Sequence, residues 1–211
     1  TDGTATAGVG VPMIFQSTTA AWGDINKDGL IDLYVGNYGN IEGMGDQKNI
    51  LYKNNGNGTF TDITNSAGVA DSLYKKPLVV VLFDYNFDGW QDIYISMDKY
   101  QRSTLFKNNG NSTFTDVTYV SGTMCYFDAM GVGVGDYNHD GLFDMHVSNG
   151  PPGNATFRYN GNGTFTNVAV QTGTTINKEC WGNDFLDYDN DGWCDLFVCA
   201  AAGIDKCDAL L

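Results

Sequence analysis

A nine-residue pattern of oxygen-bearing side chains, D-x-N/D-x-D-G-x-x-D, occurs four times in this chain of 211 residues. The copies run Asp24 to Asp32, Asp84 to Asp92, Asp136 to Asp144 and Asp187 to Asp195, with starts 60, 52 and 51 residues apart. Oxygen ligands at positions 1, 3 and 5, a Gly at position 6 for the sharp turn and a main-chain carbonyl at position 7 are the means by which a short loop wraps a hard divalent cation, calcium above all. The side chains expected to coordinate are Asp24, Asn26, Asp28 and Asp32; Asp84, Asn86, Asp88 and Asp92; Asp136, Asn138, Asp140 and Asp144; and Asp187, Asp189, Asp191 and Asp195. Leu30, Trp90, Leu142 and Trp193 would add carbonyls. One such string alone is an Asx-rich turn; four in register point to as many as four calcium ions, one per repeat. An EF-hand is excluded, because its Glu at position 12 is absent and the flanks read as strands rather than helices.

The charge balance agrees. The chain has 25 acidic and 11 basic residues for a formal charge of −14, and 13 of the acids sit in the four loops. Four divalent cations would bring the total to −6. Without them, three or four like charges crowd into each loop and repel. So acidic a chain is not built to bind nucleic acid or an anionic membrane surface, which need clustered Lys and Arg. The longest apolar run, Pro77 to Phe83, is far short of the roughly 20 residues a helical membrane span requires.

The elements that must hold the loops also repeat. Short apolar runs follow each one, Leu33 to Val35, Ile93 to Ile95, Met145 to Val147 and Leu196 to Val198. Runs mixing small and apolar residues precede them, Thr18 to Gly23, Leu78 to Phe83, Met130 to Gly135 and Trp181 to Leu186, as expected for crowded inner strands. A third element, Leu51 to Ile63, recurs at Leu105 to Val117 and Phe157 to Val168, each time with an Asn-Gly or similar turn between strands, a strong hairpin signal. Each period thus predicts four strands and one cation loop, the content of one blade of a β-propeller. The expected fold is all-β, with repeats near residues 10–63, 64–117, 118–168 and 169–211 in a single array over 1–211.

Three stretches carry a family resemblance: Ala21-Trp22-Gly23 running into the first loop, the Leu51-Tyr52-Lys53-Asn54-Asn55-Gly56-Asn57-Gly58-Thr59-Phe60 hairpin, and the Ala67-Gly68-Val69 that follows. With them the chain resembles the FG-GAP/VCBS repeats of integrin α-subunit propellers and, more closely, propellers of the cartilage-acidic-protein and UnbV type. The resemblance extends over nearly the whole chain. It implies an extracellular, calcium-stabilised propeller used for adhesion or ligand binding rather than for chemistry.

Such propellers have about seven blades, whereas this chain supplies four repeats, the last without most of its outer hairpin. Three arrangements meet that pattern: a segment of a longer propeller, a compact four-bladed ring, or a subunit of an extracellular fibre or ring whose open edge is completed by the next copy. The chain begins at Thr1 without an initiator Met or a basic-then-apolar leader, so a signal peptide is expected to have been removed or to lie outside it.

Five cysteines lie in the second half. Cys199 with Cys207 and Cys125 with Cys180 are the candidate disulfides, against the alternative of buried thiols. Asn57, Asn111, Asn154 and Asn162 are sequons and candidate glycosylation sites, although three of them occupy turns that Asn, Gly and Thr suit anyway. His139 and His146, the only histidines, occupy positions that read as structural, and no nucleophile–base set stands out, so catalysis is not expected. The partners expected are a protein or glycan ligand, or copies of the chain itself, with exposed aromatics such as Tyr38, Tyr100, Tyr119 and Tyr126 available as a contact face.

Overall fold

The computed structural model describes residues 3–10, 16–39, 48–70, 75–201 and the backbone of 208–210. The chain divides into two compact units, Thr1–Ile95 with Thr104–Val117 and Ser96–Ser103 with Thr118–Leu211.

In the first unit, β1 (Ser17–Gly23), β2 (Asp32–Asn37), β3 (Ile50–Asn54) and β4 (Phe60–Asp62) form one four-stranded sheet in chain order. The second sheet follows the same plan with β5 (Pro77–Phe83), β6 (Asp92–Met97), β8 (Thr104–Asn108) and β9 (Phe114–Asp116); β6 runs on into the second unit. There β7 (Gln101–Arg102) pairs antiparallel with β10 (Tyr126–Phe127). A third full sheet comprises β11 (Gly131–Gly135), β12 (Asp144–Ser148), β13 (Ala155–Tyr159) and β14 (Phe165–Asn167). The fourth has three described strands, β15 (Cys180–Leu186), β16 (Asp195–Ala200) and β17 (Asp208–Leu210). Three single-turn helices, α1 (Thr4–Ala7), α2 (Thr118–Ser121) and α3 (Ala169–Thr172), complete the described elements. The chain is therefore all-β, a series of antiparallel meanders of the β-propeller blade type, and each predicted strand lies within one residue of an observed one.

Every acidic nine-residue loop joins the first and second strands of a sheet, so its first and last carboxylates stand at two strand ends held in register. Gly23 faces Asp32 and Gly135 faces Asp144 across the ladder. Among the second strands, all six residues of β6 and all five of β12 are buried, whereas β16 alternates buried and more accessible positions. Inner strands approach closely where the sequence is small. A Cβ added at Gly135 would meet Phe185 Cβ at 2.7 Å, which explains why β11 alternates Gly and Val. The first unit's core includes Tyr34, Leu51, Ile93, Tyr94 and Leu105, and the second's includes Cys180, Leu196 and Val198.

The cysteine expectation needs a correction. Cys125 and Cys180 are buried free thiols, not a disulfide. Each satisfies itself locally: Cys125 Sγ donates to Ser103 Oγ at 3.2 Å, and Cys180 Sγ donates to the Lys178 carbonyl at 3.4 Å. Cys207, the partner considered for Cys199, lies outside the described residues.

Candidate metal centre

The four loops close in the same way. In the first, Asp24 Oδ1 and Asn26 Oδ1 both accept from the Asp28 N–H, at 3.2 and 3.0 Å, Asp24 Oδ2 accepts from Gly29 N at 2.9 Å, and Asp28 Oδ1 accepts from Leu30 N at 3.0 Å. Asp84, Asn86 and Asp88 repeat the pattern, as do Asp136, Asn138 and Asp140, and Asp187, Asp189 and Asp191. One shared N–H thus draws the oxygens of residues 1 and 3 together in every repeat. Closing so tightly requires left-handed backbone at position 6, where Gly29, Gly89, Gly141 and Gly192 have φ from 82 to 90°. Position 4 is left-handed too, without glycine: Lys27, Phe87, His139 and Asn190 have φ from 56 to 61°.

Position 9 does more than offer a ligand. Asp32, Asp92 and Asp144 are fully buried. Asp32 Oδ2 accepts from Ile25 N inside the loop while its Oδ1 accepts from Asn54 N on the hairpin, at 3.2 and 2.8 Å. Asp92 bonds Tyr85 N and Asn108 N in the same manner. Asp144 Oδ1 accepts from Tyr159 N at 2.8 Å; its buried Oδ2 makes no well-aligned bond, although the Tyr137 N–H is near enough to favour its ionised form. Burial pushes the Asp32 carboxyl up, and those of Asp92 and Asp144 up to about 7, against the opposing pull of these N–H groups.

Position 5 is neutralised from a direction the sequence did not reveal. Lys53 Nζ lies 3.4 Å from Asp28 Oδ2, and Lys107 Nζ lies 3.3 Å from Asp88 Oδ2. Asp28 is held below the usual carboxylate range chiefly by the Leu30 N–H, with Lys53 assisting. Burial pushes Asp88 up, but bonds from Asn86, Trp90 and Lys107 outweigh it and hold it low. The available signal was the recurrence of Lys53, Lys107 and Arg158 at one hairpin position.

In the fourth loop Asp187, Asp189 and Asp195 each present a carboxylate oxygen within 4.8 Å of the others, and no Lys or Arg among the described residues pairs with them. Two such charges repel by about 3 kcal/mol at an effective dielectric near 20. A hard divalent cation fits this donor set: oxygen only, converging, and short of positive charge. The residues that would hold it are those at positions 1, 3, 5 and 9 of each loop, with the carbonyls of Leu30, Trp90, Leu142 and Trp193.

The structure also sorts the remaining expectations. Asn57, Asn111 and Asn162 are exposed at hairpin turns, where each Oδ1 accepts from the N–H and hydroxyl of the Thr two residues on. Asn154 is 4% exposed, with Oδ1 accepting from Asn149 N, so it does not present its amide to a glycosylating enzyme in the folded chain. His146 is fully buried against Thr156 Oγ1, while His139 is exposed. Tyr100, Tyr119 and Tyr126 are more than half exposed, and Tyr38 lies under the Lys76 ammonium.

With its blades and loops in view, the chain belongs to the FG-GAP-like repeat family, whose model matches residues 24–95, 84–147 and 144–198. Among individual proteins, cartilage acidic protein 1 of Xenopus tropicalis is 34% identical over 116 residues, 52% of this chain, and the chain spans only 18% of that relative's length. A solved lectin of Agrocybe aegerita, described by its specific recognition of non-reducing terminal N-acetylglucosamine, superposes with a TM-score of 0.45 at 22% identity over 84% of this chain and 45% of its own.

Proposed function

We propose that this chain is part of an extracellular, calcium-stabilised propeller that binds a protein or glycan partner without catalysing a reaction. The observation that carries this reading is the common closure of the four loops, each gathering the same oxygen set around one shared N–H. Membership of the FG-GAP-like family and the likeness to cartilage acidic protein 1 support a binding module of the extracellular type. Exposed Tyr100, Tyr119 and Tyr126 provide aromatic surface for a partner, and Asn57, Asn111 and Asn162 are the positions where a secreted chain would carry glycans.

Thermal unfolding with and without chelator tests the reading. Ions that bind only the folded state stabilise it by about 2.7 kcal/mol per site at a hundredfold excess over Kd, so removing them is expected to lower Tm by at least roughly 10 °C. An unchanged melt in excess chelator overturns it.

A further inference from the structure

Position 4 of each loop carries no expected ligand, yet it holds a non-glycine residue in left-handed backbone, a conformation that costs about 1 kcal/mol or more. The structure shows where that side chain goes. In the first unit, Lys27 Nζ lies 4.2 Å from the ring centroid of Trp90, residue 7 of the next loop. In the second unit, the His139 ring stacks on Trp193, again residue 7 of the next loop, with centroids 4.4 Å apart and planes at 20°. Two different chemistries, an ammonium over an indole and an imidazole against an indole, make the same connection in two separate pairs of repeats.

Residue 7 is also held from its own side. A Cβ on Gly110, at the turn of the hairpin in the same repeat, would lie 2.9 Å from Trp90 Nε1, so the indole rests on that turn; Leu30 and Leu142 approach Gly56 and Gly161 likewise. The Trp90 main-chain N–H donates to Asp88 Oδ1, which ties its backbone to residue 5 of the loop. A second bridge reinforces the connection: Asn108 Nδ2 donates to the Ile25 carbonyl of the preceding loop at 2.8 Å and to the Gln91 carbonyl at 3.0 Å. Lys27 makes no ion pair among the described residues, and its charge is directed at the indole.

We propose that residue 4 of one loop is a positioning residue for residue 7 of the next, Lys27 for Trp90 and His139 for Trp193, and that it thereby sets the cation affinity of the neighbouring repeat rather than of its own. Clamped between the hairpin turn and the preceding loop, Trp90 has its main chain fixed before the ion arrives, and the His139 stack restrains Trp193 from the preceding loop, so part of the ordering cost of supplying the carbonyl is met in advance. The inference rests on the cation reading above. It adds that the first site is linked to the second and the third to the fourth.

The test is a calcium titration of the full chain by calorimetry, for the unmodified protein, Lys27→Ala, Lys27→Arg and Trp90→Leu, each with and without Asp88→Ala, which disables the second loop. Leucine is compatible at position 7, since Leu30 and Leu142 occupy it elsewhere. Lys27→Ala and Trp90→Leu are expected to weaken one site about threefold to tenfold, the range of a partly exposed cation–π contact, while Lys27→Arg retains the affinity. In the Asp88→Ala background, Lys27→Ala is expected to change nothing further. An affinity that is unchanged or tighter in Lys27→Ala overturns the proposal, as does a loss that persists beside Asp88→Ala, because Lys27 would then act through its charge or on its own loop. An unmodified chain that takes up no cation overturns both this inference and the cation reading. Binding by the unmodified chain with indifferent variants overturns only the inference. In the parallel set, His139→Ala is expected to weaken the fourth loop and His139→Phe to retain its affinity, since a phenyl ring preserves the stack, and neither is expected to change anything further beside Asp191→Ala.

Discussion

Asp92 and Asp144 concentrate the conflict that the proposed ion resolves. Each is buried, and burial raises its pKa to about 7 despite bonds to backbone N–H groups. A folded-state pKa above the unfolded value of about 3.9 means that the proton favours folding. That stability is complete below about pH 4 and is lost as pH rises through 7. In chelator, Tm is therefore expected to fall by several degrees between pH 5.5 and pH 8, whereas in millimolar calcium, which holds both carboxylates ionised, the slope flattens. A chelated melt that rises with pH over that window contradicts the assignment. His146 works in the opposite sense. Its pKa is lowered to about 4 by burial, so its contribution is present above about 6.5 and lost as pH falls through 4. His146→Phe, the ring type already present as Phe197 in the fourth repeat, is accordingly expected to gain about 2 kcal/mol relative to the parent at pH 5 and little at pH 8, read by urea unfolding in chelator.

At the level of elements, the hairpin is what turns a flexible Asx loop into a defined site. It supplies Asn54 N and Asn108 N to the position-9 carboxylates, Lys53 and Lys107 to position 5, and the turn on which residue 7 rests. Gly58 and Gly110 separate backbone strain from this support. Both have positive φ, 82 and 75°, but a Cβ at Gly58 meets nothing within 4 Å, whereas one at Gly110 meets the Trp90 indole. Gly58→Ala is expected to cost about 1 kcal/mol and Gly110→Ala roughly twice that; equal costs in denaturant melts would show that the turn does not support Trp90. The strands and the common closure of the acidic loops were legible in the sequence because both are local patterns repeated several times over, an Asn-Gly hairpin and an Asp-Gly-centred nonapeptide. The dual bonding of Asp32 and Asp92, the lysines of the hairpin and the reach of Lys27 to Trp90 were not. Each joins residues far apart in the chain, such as Asp92 with Asn108 or Lys27 with Trp90, through a pairing that exists only once the strands are in register. The choice between a Cys125–Cys180 disulfide and buried thiols stays open in the sequence for a related reason: the Ser103 hydroxyl and Lys178 carbonyl that satisfy the two thiols are placed only by the fold.

Across the whole molecule the repeated loops make charge the dominant variable. The formal charge is −14, and about half of the acids are confined to four loops of nine residues. Repulsion inside a loop acts over less than 5 Å in the Asp187, Asp189 and Asp195 cluster, within one Debye length at 0.15 M salt, so dissolved salt screens it only in part. Two kinds of cation should therefore behave differently. Raising sodium chloride from 0.05 to 0.5 M in chelator is expected to raise Tm by a few degrees through screening of the net charge, but to recover only part of what millimolar calcium gives, because screening supplies no ligand field to the converged oxygens. Magnesium, which demands near-ideal octahedral geometry and sheds water reluctantly, is expected to fall between the two. Melts in sodium, magnesium and calcium at matched ionic strength read this order directly. Equal protection by all three would mean that the loops need only counter-charge, and the coordination assigned to Asp24, Asn26, Asp28 and their equivalents would give way to diffuse electrostatics.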